Sequence, residues 1–137
     1  MNRTDFQQLA NVRIEEAAVL VAAQKWDGAY YLAGYAVECA LKACIAKLTN
    51  QHDFPDKRFA EKCFTHDFER LLECADLDDV FDVEKNADPL LSDHWKIVFL
   101  WAEASRYERK SQPEAQMLYN SIVDPVHGVL PWLKKNW

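Results

Sequence analysis

One stretch limits what this chain can fold into: residues 29–48, AYYLAGYAVECALKACIAKL. On a helix, Gly34, Val37, Leu41, Ile45 and Leu48 follow one another at steps of three and four and form one apolar stripe. Ala29, Ala33, Ala36, Ala40 and Cys44 form a second, small-residue stripe beside it. The arc that remains holds Tyr31, Tyr35, Glu38 and Lys42. A helix apolar over most of its girth is a buried one, and its Ala and Gly side admits a close neighbour. The stretch is expected to be the hub of a helical bundle.

The flanking sequence supplies further helices. Thr4 with Gln7 has the form of a capping box, and Phe6, Ala10, Ile14, Ala17 and Val21 then run at helical spacing to about Trp26. Asp27 and Gly28 make a break, with Asp27 as expected N-cap of the hub, so the two helices should be antiparallel neighbours. Residues 49–56, containing Pro55, read as a loop. Thr65 or Asp67 is expected to cap a short helix through Phe68, Leu71, Leu72 and Ala75. The acidic segment from Asp76 to Pro89 is expected to be irregular or a short helix. Ser92 is the expected N-cap of a long helix with Trp95, Val98, Phe99 and Ala102 inward and Lys96, Glu103 and Lys110 outward. The inward register then reaches Arg106. Pro113, capped by Ser111 or Gln112, opens a final helix whose stripe runs from Ala115 to Trp137 and must kink or break at Pro125 and Pro131. No strand pattern or repeat is present. The expectation is an all-α, antiparallel up-and-down bundle of four to five helices in a single domain, residues 1–137.

Composition narrows the function. Half of the 137 residues are hydrophobic and only eight are Gly or Pro (three and five), which excludes a disordered chain. A net charge of -6 opposes sequence-blind adhesion to nucleic acid, because each phosphate contact needs a local cation. Cys39, Cys44, Cys63 and Cys74 show no metal-like spacing, and neither a signal peptide nor a membrane span is legible. A reduced, cytoplasmic protein with no membrane association is expected.

His52, His66, His94 and His127 lack a serine or cysteine at a revealing interval and read as surface or capping residues. Asp76, Asp78, Asp79 and Asp82 lack the glycine and terminal glutamate of a calcium loop and read as a solvated acidic stretch, so no metal is expected. Glu38 and Lys42 are spaced for an ion pair, and Tyr31 and Tyr35 share their arc. That arc is either an interface edge, which is preferred, or a wall on which a base stacks. Arg106, Arg109 and Lys110 form the notable basic cluster, either complementing a helix dipole or, through an inward Arg106, holding a phosphate.

The hub YYLAGYAVECALKACIAK, then THDFERLL, then SRYE resemble, in that order and spacing, the HEPN family (higher eukaryotes and prokaryotes nucleotide-binding), from about residue 10 onward. The resemblance implies an antiparallel helical bundle that commonly dimerises. Many members are metal-independent ribonucleases, often toxins, with an arginine and a histidine spaced by four to six residues. Arg106 matches the arginine, but Ser111, Gln112 and Pro113 stand where the histidine would be, and Glu114, Ala115 and Gln116 do so for Arg109. An arginine alone stabilises phosphate charge but is a poor acid or base near neutral pH. The RY subfamily is often encoded beside a minimal nucleotidyltransferase. The resemblance therefore implies a non-catalytic, homodimeric domain of a toxin-antitoxin or defence-type system that binds nucleotide, RNA or a nucleotidyltransferase partner and needs no cofactor. The candidate ligand-binding residues are Arg106, Tyr107, Arg109, Lys110, Tyr31, Tyr35 and Glu38. The alternatives are a metal-independent endoribonuclease using Arg106 with Tyr107, His127 or a group from another subunit, and a purely structural helical dimer.

Overall fold

The computed structural model describes residues 1–49, 54 and 56–137. It is all-α, with no strand among the described residues. The helices are α1 (Arg3–Ala22), α2 (Trp26–Leu48), α3 (Lys57–Cys63), α4 (Phe68–Cys74), α5 (Asp78–Ala87), α6 (Pro89–Val98), α7 (Gln112–Val123) and α8 (Val129–Lys134), with a 3-10 turn over Glu103–Tyr107. None of them is long and apolar enough to cross a membrane. Most of the loop expected over 49–56, His52 included, lies outside the described residues.

α2 is the hub, in contact with α1, α4, α7, α8 and the 3-10 turn. Ala29, Ala33, Ala36, Ala40 and Cys44 are buried, as are Gly34, Val37, Leu41 and Ile45; Leu48, at the helix end, is exposed. α1 lies along α2 and buries Ala10 and Ala17, whose small side chains allow a close approach.

Two expected caps are corrected. α1 begins earlier, with Asn2 and Asp5 making the capping box: Asp5 N donates to Asn2 Oδ1 at 3.0 Å and Asn2 N to Asp5 Oδ2 at 2.8 Å. Asparagine caps at least as well as threonine, and here it adds half a turn. α2 has no side-chain cap; the chain reverses at Gln24, in the left-handed region at φ 59, and Asp27 sits inside the first turn, bound elsewhere.

Asp67 caps α4, its Oδ1 accepting from Arg70 N at 3.1 Å. The acidic segment forms α5, with Asp78 and Asp79 in the first turn, where carboxylates suit the dipole, and Phe81 buried beneath it. Phe81 packs on Trp95 and Trp132 at centroid distances of 4.9 and 4.5 Å.

The expected long helix after Ser92 is also different. α6 starts at Pro89, because Asp88 Oδ1 accepts from Leu90 N and Leu91 N at 3.1 and 3.2 Å, and it ends at Val98. Trp95 and Val98 are buried as expected, but Phe99 and Ala102 are exposed. The chain leaves the helix there because the Trp101 indole lies over Gly34 of α2, where an added Cβ would overlap its Cδ1, Nε1 and Cδ2 atoms. The inward register therefore never reaches Arg106, whose side chain is 44% exposed on the 3-10 turn. α7 opens on the expected Ser111 cap with Glu114 closing the box. The final stripe breaks at Asp124, one residue before Pro125; Pro131 falls in the first turn of α8, where its missing N–H costs nothing. These breaks, together with α3, give eight α-helices among the described residues rather than four or five.

Candidate functional site

The narrow polar arc of α2 carries the site. Glu38 is a carboxylate only 1% exposed in the middle of the hub, and a charge so placed must be paired and hydrogen-bonded. Lys42, one turn on, donates to Glu38 Oε1 at 2.7 Å. The second partner comes from the segment before α4: His66 Nδ1 lies 2.9 Å from both Oε1 and Oε2 of Glu38. Asp67 and Thr65 fix that segment, Thr65 Oγ1 accepting from Asp67 N at 3.1 Å and Asp67 capping α4.

The chain of polar groups continues outward. His66 Nε2 lies 2.9 Å from Glu103 Oε2 on the 3-10 turn, and Glu103 Oε1 pairs with Arg106 at 3.3 Å. Lys42, Glu38, His66, Glu103 and Arg106 thus form one run of alternating groups from the buried helix to the surface. A neutral imidazole has one N–H and satisfies one of the two carboxylates; both contacts are hydrogen bonds at once only when both ring nitrogens carry hydrogen. A cavity of about 350 Å³ opens beside His66, lined by Thr65, Asp67, Phe68, Phe99, Trp101 and Glu103.

Aromatic rings frame the run. Trp101 stacks between Phe68, with centroids 5.2 Å apart and planes 4° apart, and Tyr31, 6.1 Å away. Tyr31 also packs on Tyr35 at 6.0 Å and lies near Arg106. Burial, then Cys39 and Glu38 nearby, pushes the Tyr35 phenol above its ordinary value, so it remains an O–H donor. Arg106 lies over the exposed Tyr107 ring, 4.9 Å from its centroid.

The structure thus brings Tyr31, Tyr35, Glu38, Arg106 and Tyr107 together, and it separates Arg109 and Lys110 from them. Asp27 Oδ1 accepts from Lys110 N at 2.6 Å and its Oδ2 pairs with Arg109 Nε at 3.0 Å. The Lys110 ammonium pairs with Glu108 at 2.8 Å and lies over the Tyr30 ring at 4.5 Å. These two cations tie the segment after the 3-10 turn to the start of α2.

His127 is likewise committed elsewhere, its Nδ1 2.7 Å from Asp88 Oδ2, and His94 Nδ1 bonds the His127 carbonyl at 2.8 Å. No group of three or more metal-ligating side chains occurs among the described residues. The residues that sequence reasoning missed are His66 and Glu103. The signal for His66 was Glu38 itself, since a carboxylate in an otherwise apolar hub requires a donor from outside the helix.

No protein-family model, curated protein or solved structure matches the chain.

Proposed function

We propose that this chain is a HEPN-type domain that binds a nucleotide or RNA segment through the surface where Arg106, Glu103 and His66 meet. One observation carries the reading: the run from Lys42 to Arg106 sets an imidazole on an aromatic-lined cavity and a guanidinium one carboxylate further out. Guanidinium recognises phosphate, and rings beside it suit a base. The antiparallel bundle arrangement, the homodimer, the nucleotidyltransferase partner and the toxin-antitoxin or defence setting belong to this proposal through the resemblance of the hub, THDFERLL and SRYE. Titration with a labelled oligoribonucleotide tests it. Arg106→Ala should weaken binding about 10- to 100-fold, the worth of one charge-assisted contact, with helicity unchanged. Equal affinity in the variant removes Arg106 from the site.

A second reading is favoured by a specific feature. The histidine absent after Arg106 in sequence is present in space: His66 is one carboxylate away from Arg106 and is oriented from behind by Glu38. A histidine held by a carboxylate is the usual form of a general acid or base. Metal-independent RNA cleavage in the presence of chelator, lost in both His66→Ala and Arg106→Ala, would establish the ribonuclease; an inert parent protein would end it.

A further inference from the structure

Among the described residues, no backbone hydrogen bond joins the 3-10 turn to another helix; its bonds run locally, Ser105 N donating to Ala102 O at 2.9 Å and Glu108 N to Ser105 O at 3.1 Å. Packing on α2 holds the turn, and that packing leaves Trp101 Nε1 and Ser105 Oγ buried with no partner among the described residues. Each such group forfeits the bond it would make to water, so the docked position is less favourable than its apolar contacts alone would make it. A polar tie from the turn to a neighbour is made by a side chain: Glu103 Oε2 lies on His66 Nε2 at 2.9 Å.

That tie depends on a proton. Glu38 faces Nδ1 of His66 and Glu103 faces Nε2, each at 2.9 Å, and a neutral ring has one N–H to give. Glu38 holds the stronger claim, because its side chain is 2% exposed against 32% for Glu103, and water cannot replace the histidine there. Glu103 keeps Arg106 and open solvent. A neutral ring therefore keeps its N–H on Nδ1, and the lone pair left on Nε2 faces a carboxylate that repels it. The other charged and titratable groups that meet here are Lys42, Tyr31 and Tyr35 on α2, Arg106 on the turn, Asp67 beside His66, Arg13 on α1 and Cys63 on α3. Asp67 is turned to Arg70 N and Arg13 to Glu16, while burial pushes the Tyr35 phenol up and, with Cys74 nearby, the Cys63 thiol up to about 11.

We propose that His66 is a proton-operated fastener for the 3-10 turn. With both ring nitrogens protonated, the turn is tied to the segment before α4; loss of the Nε2 proton to water lets Glu103 and the turn swing away from it. Arg106 rides on that turn, so the protonation state of His66 sets where the guanidinium stands. The inference shares residues with the proposed ligand site but needs no ligand. A failed oligoribonucleotide titration and a failed pH series are therefore separate results.

NMR spectra of the ligand-free 137-residue chain over about pH 5 to 9, a range that spans the charge change of an ordinary imidazole, test it. The His66 ring signal, assigned by its absence from His66→Gln, should titrate, and the backbone amides of Glu103–Tyr107 should shift with the same midpoint. Their heteronuclear NOE should fall on the alkaline side. In Glu103→Gln, which leaves the Glu38–His66 contact in place, the ring should still titrate while the turn loses its step. His66→Gln should lose the step as well. His127, held by Asp88, supplies the control, since its titration should leave the turn unmoved. The proposal is overturned by a His66 ring that keeps one protonation state across the range, by turn amides that ignore its titration or follow His127 instead, or by an undiminished step in Glu103→Gln.

Discussion

Gly34→Ala should destabilise this protein although it replaces a helix-breaking residue with the best helix former. In an open helix the change gains about 1 kcal/mol. Here the new methyl would overlap the five-membered edge of Trp101, a side chain 4% exposed and stacked between Phe68 and Tyr31, so the indole has no room to slide. Expelling a buried tryptophan costs about 3–5 kcal/mol, and the balance is a loss of about 2–4 kcal/mol. For 137 residues the unfolding entropy is about 0.3 kcal/mol/K, so the melting temperature should fall by about 7–14 °C. Thermal unfolding followed by circular dichroism at 222 nm, an ordinary helix band, reads this directly. Gly28→Ala is the control: its Cβ meets only the tip of the Leu20 side chain at 3.2 Å, which can rotate away, and its melting temperature should stay level or rise. A Gly34→Ala protein as stable as its parent would refute the account of why the chain leaves α6 at Val98.

Burial pushes the Cys39 and Cys44 thiols up to about 11, and raises Tyr30 and Tyr35 as well. The folded state keeps protons that the unfolded chain loses, so this stability is complete below the ordinary thiol value and is lost as pH rises toward 11. Urea midpoints should decline over that range, and a Cys39→Ala/Cys44→Ala variant with an undiminished decline would contradict it. On the acid side, hydrogen bonds from His127 to Asp88, from the His127 and Val126 amides to Asp124, and from the Ser111 amide to Glu114 hold these carboxylates below their usual range. Their contribution is present above the ordinary carboxylate values and fades as pH falls through the lowered ones; Asp88→Asn/Asp124→Asn should flatten the acid limb of the same urea series. Asp27→Ala removes the acceptor of the Lys110 amide, whose hydrogen exchange should quicken about tenfold. An unchanged rate would show that the segment is held without Asp27.

The hub was legible because its two stripes leave one arc, and burial follows the stripes except at exposed Leu48, while Glu38 of the arc is buried. The caps read at Asp67 and Ser111 are the observed ones, whereas those read at Thr4, Asp27 and Ser92 give way to Asn2, no side-chain cap and Asp88. Periodicity failed where a competing contact ended a helix early. Nothing local to Phe99 or Ala102 announces that Trp101 docks on Gly34, a residue 67 positions earlier, yet that contact decides where Arg106 points. The candidate site was half visible for the same reason. Its α2 members share a helix face and can be read from spacing, whereas His66 and Glu103 reach it through tertiary packing. Arg109 and Lys110 were grouped with Arg106 by sequence proximity alone, and Asp27 draws them off.

Glu103 gives Arg106 a counter-ion that is tethered to the same chain. Under the proposed binding, an anion arriving at this guanidinium would compete with a carboxylate that cannot diffuse away. The cation therefore releases fewer solution ions than a bare arginine, and binding through it should be less sensitive to salt than a count of positive charges suggests. Glu103 also stands on His66 Nε2, through its other oxygen. Under the proposed binding, an anion that drew Glu103 wholly away from Arg106 would therefore expose the outer nitrogen of the histidine as well.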